Sequence, residues 1–188
     1  MSMNAEGPPA TTARNDIFSI RVLVLIGVSG CGKSVVGQTV AQHWGADFQD
    51  ADHWHTPAAV AKMAAGHPLT DEDRAPWLER LRVKVIAGTP RNGRTVLACS
   101  ALRRRYRDAL RSGQEGVRFV HLSGSRELIA ARMARRHDHY MPTTLLDSQF
   151  AVLEVPGPDE AVTISIDQPL DGVVAAVLQL IGVPTTSD

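Results

Sequence analysis

Eight residues carry the clearest chemistry in this sequence. Gly27-Val28-Ser29-Gly30-Cys31-Gly32-Lys33-Ser34 satisfies the pattern GxxxxGK[ST] at every fixed position. Such a loop grips the phosphates of a nucleotide. Its glycines let successive backbone N–H groups turn inward toward phosphate oxygens, and a helix starting at its end adds the positive pole of its dipole. Gly27, Ser29, Gly30, Cys31 and Gly32 form the backbone cradle, Lys33 reaches the outer phosphates, and the Ser34 hydroxyl is placed to ligate Mg²⁺. The Cys31 side chain sits at a variable position and is assigned no chemistry. A chance glycine-rich turn is the competing reading. The β-branched run before the loop and the helical stretch after it weigh against that alternative.

Motor ATPases, GTP switches and kinases all share this loop, so a second carboxylate must separate them. The apolar run Val96–Cys99 leads into Ser100 rather than into the acid many ATPases place there, and neither DxxG nor NKxD occurs in the chain. The acids appear instead as Asp50-Ala51-Asp52. Residues two apart on an extended segment point to one side, which turns both carboxylates toward the space above the loop. The spacing assigns Asp50 a water of the Mg²⁺ shell and Asp52 the proton of an attacking hydroxyl. Without the phosphate loop, DxD reads more simply as a solvated turn or helix cap.

The surrounding elements must bring these groups together. Val22–Ile26 reads as a strand and Lys33–Trp44 as a helix, and further strands are expected near Ala46–Gln49, Val96–Cys99, Val117–Leu122 and Val162–Ile166, with helices between them. This alternation predicts a parallel sheet wrapped by helices, with ligand bound at the carboxyl ends of the strands. Two insertions interrupt it. Residues 56–88 hold two expected helices separated by Gly66-His67-Pro68 and form a candidate substrate cover. Residues 132–156 form a candidate lid, with a helical stretch over Thr144–Glu154, and Val155-Pro156-Gly157-Pro158 closes it.

Composition excludes other classes. The 188 residues are 44% hydrophobic and 21% charged, and no apolar run approaches the ~20 residues of a membrane span. Twenty basic and twenty acidic residues leave no net field to hold nucleic acid or an anionic membrane. Two cysteines without CxxC spacing argue against a disulfide framework or a zinc site and fit a reducing cytoplasm. The pairs His53/His55 and His137/His139 lack the further ligands that zinc needs. Residues 1–19 read as a flexible tail, and residues 20–188 as one domain.

The chain resembles the gluconate kinases, small relatives of shikimate kinase and the nucleoside monophosphate kinases, from Leu23 to Ile181. The likeness rests on GVSGCGKS at 27–34, DADHWH at 50–55, Lys62-Met63, GHPLTDEDRAPWL at 66–78, CSALRRRYRDALR at 99–111, Arg132 with Arg136 and His139-Tyr140-Met141, SQFAVLEVP at 148–156 and DQPLDGVV at 167–174. Thr56, between His55 and Pro57, and Ala59 and Thr70, where the family usually has Asn, depart from its pattern. The resemblance implies a three-layer P-loop NTPase sandwich. It would contain a five-stranded parallel sheet with helices on both faces, arranged as in nucleoside monophosphate kinases with cover and lid insertions. It further implies MgATP-dependent phosphorylation of the terminal hydroxyl of D-gluconate, giving 6-phosphogluconate, by a cytoplasmic homodimer.

Gluconate offers one carboxylate and several hydroxyls, so its pocket needs a cationic fork beside short polar groups. Arg74, steadied by a neighbouring acid, is the candidate fork, with His55 and Ser100 as hydrogen-bonding groups. Trp77 reads as packing. Arg103 and Arg107 would share a helical face, and Arg107 is favoured as a substrate contact because Tyr-Arg recurs in the family block. Arg132 and Arg136 would close over ATP as lid arginines, neutralising charge on the moving phosphoryl group. The resemblance places Gln168 and Pro169 beside adenine. The rival readings are another small-metabolite kinase of shikimate kinase type and an ATP-binding regulatory module without an acceptor.

Overall fold

Val22–Ile26 form β1, and all five residues are buried, as expected for a strand inside a parallel sheet covered on both faces. In a computed structural model, residues 20–65, 67–135 and 143–184 are described, with side chains omitted at 143–145. Residues 1–19, read above as a tail, lie outside them. The other strands are β2 (Asp47–Asp50), β3 (Thr95–Ala98), β4 (Val117–Ser123) and β5 (Val162–Ser165). They lie in the order β2-β3-β1-β4-β5, and every pairing is parallel. The fold is the expected five-stranded parallel sheet, with strand ends that differ by at most one residue from those expected.

The strand period of two divides β1 between two cores. Leu23 and Leu25 pack with Val36 and Val40 of α1 (Lys33–Trp44) and with Val173 and Val177 of the last helix, Leu170–Leu180. Val22, Val24 and Ile26 pack on the opposite face with Trp77, Leu81, Ile86 and Leu110. Chain connections diverge on either side of β1, and that reversal opens a crevice beyond the carboxyl ends of β1 and β3.

The cover consists of α2 (Pro57–Ala64) and α3 (Asp71–Arg80), the latter continuing as a π-helical segment, Leu81–Ile86. Both departures at threonine are helix caps. Thr56 Oγ1 accepts from the Ala59 amide at 3.1 Å, with Pro57 in the first helical turn. Thr70 and Asp73 make a reciprocal capping box. The order continues with α4 (Arg104–Arg111), α5 (Arg126–Ala134), α6 (Thr143–Val152) and α7 (Leu170–Leu180). Among the described residues, no helix is long and apolar enough to cross a membrane.

Candidate active site

The phosphate loop joins β1 to α1, as its flanking sequence requires. Gly32 caps α1 with φ +99°, and a Cβ built there would meet nothing within 4 Å. A side chain is excluded by conformation rather than by crowding, and open space is left above the helix N-terminus. Gly30, also at positive φ, lies so close to Met133 that an added Cβ would come within 2.7 Å of it, so α5 packs directly on the loop. Lys33 Nζ donates to the carbonyls of Gly27 and Val28, both at 3.0 Å, and lies across the loop mouth. Ser34 Oγ donates to Asp50 Oδ2 at 2.8 Å, while Asp50 Oδ1 accepts the Asp52 amide at 3.1 Å.

The extended backbone assumed for Asp50-Ala51-Asp52 does not run through the segment. β2 ends at Asp50, and residues Ala51–Trp54 turn as a 3₁₀ segment, so the alternation of a strand no longer applies. Asp50 caps this turn, and Trp77 Nε1 holds it from the cover side by donating to the Ala51 carbonyl at 2.8 Å. Asp52 acts electrostatically on two neighbours. One is Cys99, whose thiol is pushed up to about 12, chiefly by burial, within the fields of Lys33, Asp52 and Asp50. The other is His55, stacked on Trp77 with ring centroids 4.5 Å apart. Burial lowers the His55 pKa; Asp52 opposes that shift and Arg74 adds to it. Its Nδ1 is buried and unpaired among the described residues.

Arg74 is held differently from the expected acid clamp. Its Nη1 donates to the carbonyls of Leu69 and Thr70, and its guanidinium lies 5.8 Å from the centre of the Tyr106 ring. Asp73 is occupied elsewhere. Its hydrogen bond from Lys62 is the main reason its carboxyl is held at about 2. Asp71 accepts the Tyr106 hydroxyl and also faces Arg105, and Arg103 at 3.6 Å. Arg103 therefore belongs to the Arg74 side of the cleft, although the sequence reading favoured Arg107.

Arg107 does not reach the cleft. It is 2% exposed, and its Nε and Nη2 donate to Glu160 at 3.1 and 3.3 Å. Its Nη1 donates to the carbonyls of Ala101 and Leu102, both at 3.2 Å. Arg103 and Arg107 do not share a helical face, because Arg103 is the extended N-cap of α4, outside the helix. Arg107 instead secures the turn after Ser100. Ala101 sits there with φ +36°, a conformation that costs energy without glycine. The Ser100 carbonyl accepts the Gly27 amide at 3.3 Å, which ties this turn to the phosphate loop. Nor is the α4 N-terminus open to substrate, because Glu154 Oε2 accepts the Arg104 amide at 2.6 Å.

Arg132 also differs from its expected lid role. Its Nη2 donates to the carbonyls of Ile166 at 2.6 Å and Gln168 at 3.4 Å. It braces the loop before α7, where Gln168 Nε2 donates to the Ser165 carbonyl and Pro169 caps the helix. Arg136 lies outside the described residues. The sequence reading also missed Gln149 of α6, which contacts Ser29 through both amide atoms. Gln149 and Glu154 fall in a quoted family block, but no spacing rule points to their partners. Glu160, paired with an arginine 53 positions away, had no sequence signal.

Among the described residues there is no cluster of His, Cys, Asp and Glu able to hold a metal alone. Ser34 beside Asp50 instead fits a magnesium ion completed by phosphates and water.

The nucleotide loop, the paired acids after β2 and the five-stranded parallel sheet that carries them define a P-loop kinase. The sequence matches the shikimate kinase family model over residues 29–154. It is 42% identical to the thermoresistant gluconokinase of Escherichia coli K12 over 162 residues, covering 85% of this chain and 93% of that protein. It is 50% identical to the gluconokinase of Gluconobacter oxydans over 146 residues, covering 76% and 80% of the two chains. The crystal structure of a gluconokinase from Sinorhizobium meliloti superposes with a TM-score of 0.77 at 39% identity, covering 86% of this chain and 91% of that one. The chain belongs to the gluconokinase family, within the shikimate kinase group of enzymes.

Proposed function

We propose that the enzyme transfers the γ-phosphoryl group of ATP to the terminal hydroxyl of D-gluconate, forming 6-phosphogluconate and ADP. The observation that carries this reading is the position of Asp52. Its backbone is bonded through Asp50 to Ser34 of the nucleotide loop, while its carboxylate lies within electrostatic reach of His55, next to Arg74.

The loop amides and Lys33 hold the triphosphate, and Gln168 and Pro169 border the adenine with Arg132 as their brace. Ser34 and Asp50 would hold magnesium, which would neutralise phosphate charge there. Arg74, aided by Arg103, receives the gluconate carboxylate, and His55 and Ser100 bond its hydroxyls. Asp52 accepts the proton of the terminal hydroxyl as that oxygen forms its bond to phosphorus, and the bond from phosphorus to the ADP oxygen breaks. The buried free cysteines fit a cytoplasmic setting, and the family resemblance adds a homodimer.

A coupled ADP-release assay over a panel containing gluconate, other aldonates and shikimate tests the reading. Turnover that depends on gluconate and exceeds that with the other acceptors is the expected result. ATP turnover indifferent to any acceptor would point to a regulatory ATPase, and a preference for shikimate would change the assigned acceptor.

A further inference from the structure

The least expected contact at the phosphate loop comes from α6. The Ser29 amide donates to Gln149 Oε1 at 2.7 Å, and Gln149 Nε2 donates back to Ser29 Oγ at 2.9 Å. Both ends of one side-chain amide thus meet one loop residue 120 positions away. The contact is anchored from either side. Leu146 is buried in the core, and Asp147 accepts from Arg126 Nε at 2.5 Å. Beyond the helix, the Glu154 amide donates to the Leu102 carbonyl at 2.9 Å while its carboxylate caps α4. The backbone at 149 is therefore held above the loop.

Inward N–H groups are what such a loop offers to phosphate oxygens. Here one of them already has an oxygen acceptor at phosphate-like distance. Lys33, the residue that reaches outer phosphates, lies across the carbonyls of residues 27 and 28, so residue 29 borders that same end. We propose that Gln149 takes the acceptor position of an outer-phosphate oxygen at the Ser29 amide and that ATP must displace it. This rests on the reading of the loop as the triphosphate site. Seating of the α6 amide and filling of the outer-phosphate position then compete for one donor, and by linkage each weakens the other. A nucleotide without outer phosphates leaves the contact in place.

The test is calorimetric titration of the full-length protein, without gluconate, with MgATP and with AMP. Gln149→Ala removes the competitor and is expected to tighten ATP binding about 5-fold, the worth of one net hydrogen bond. Gln149→Asn, too short to reach Ser29, should follow it. Gln149→Glu sets a charged acceptor on the same N–H and is expected to weaken ATP binding roughly 10-fold or more. AMP affinity should be unchanged in all three. A merely structural role would weaken ATP binding in every variant. Weaker or unchanged ATP binding in the Ala and Asn variants, with Lys33→Ala still abolishing it, overturns the proposal alone. ATP affinity indifferent to Lys33→Ala overturns the loop reading and the proposal with it.

Discussion

Arg74 shows how a single side chain is prepared for a carboxylate. Among the described residues, Nη1 alone is tied down, by backbone carbonyls that carry no charge, and the Tyr106 ring lies against the guanidinium from one side. Its planar fork suits a carboxylate in a way that a lysine ammonium does not. Arg74→Lys is therefore expected to raise the KM for gluconate about 10-fold or more, the loss of a bidentate charged pair, with the KM for ATP little changed. Steady-state kinetics with each substrate varied checks this. Equal effects on both KM values would mean that Arg74 shapes the whole cleft rather than the acceptor pocket. At this scale the nucleotide residues were legible in the sequence because the loop is contiguous and its glycines have backbone reasons to be there. The acceptor residues were legible as types, but which arginine faces the cleft was not.

The turn between β3 and α4 joins the two halves of the site. Ala101 holds a left-handed conformation, Ser100 bonds the phosphate loop, and Arg107 fastens the turn to Glu160. Arg107→Met keeps much of the apolar bulk but takes the bidentate partner from the buried Glu160 carboxylate, leaving it the Gly157 amide and the exposed Arg104 at 3.9 Å, which is expected to cost about 3 kcal/mol. Denaturant unfolding measures this, and a loss under ~1 kcal/mol, the scale of an exposed pair, would contradict the bracing role. Helical periodicity suggested that residues 103 and 107 share a face. It misled because the cap falls at 103, and a boundary shift of one residue changes which side chains are neighbours. The 3₁₀ turn after β2 likewise ends the strand alternation from which the Asp50/Asp52 placement was read. By contrast, β1, α1 and the two helices of the cover on either side of Gly66-His67-Pro68 were readable, because apolar period and breaker residues are local properties.

The whole molecule puts two histidines inside its two-faced architecture. His55 lies under the cover and His121 in β4, and burial is the main cause of the lowered pKa of each. Below the ordinary value of 6.5, the unfolded chain therefore takes up protons that the folded chain resists. Stability from these groups is fully present above pH 6.5 and is lost as pH falls through the lower folded-state values. Thermal melting between pH 8 and pH 5 should show this decline, and it should flatten in a variant carrying both His55→Asn and His121→Asn. A decline of unchanged slope in that variant would place the titrating groups elsewhere. The parallel sheet and a ligand site at the carboxyl ends of its strands followed from alternation in the sequence; the strand order did not. The closures made by Arg132, Glu154 and Gln149 did not, since each joins segments brought together only by the finished fold.

Single-turnover phosphoryl transfer in Asp52→Asn, with ATP affinity measured on the same protein, tests the account most directly. The carboxylate is lost without change of shape, and the bond from the residue 52 amide to Asp50 is backbone and remains. Unchanged ATP affinity with transfer to gluconate slowed about 10²-fold or more is the predicted result, the usual contribution of a positioned base. Transfer at the wild-type rate would contradict the account.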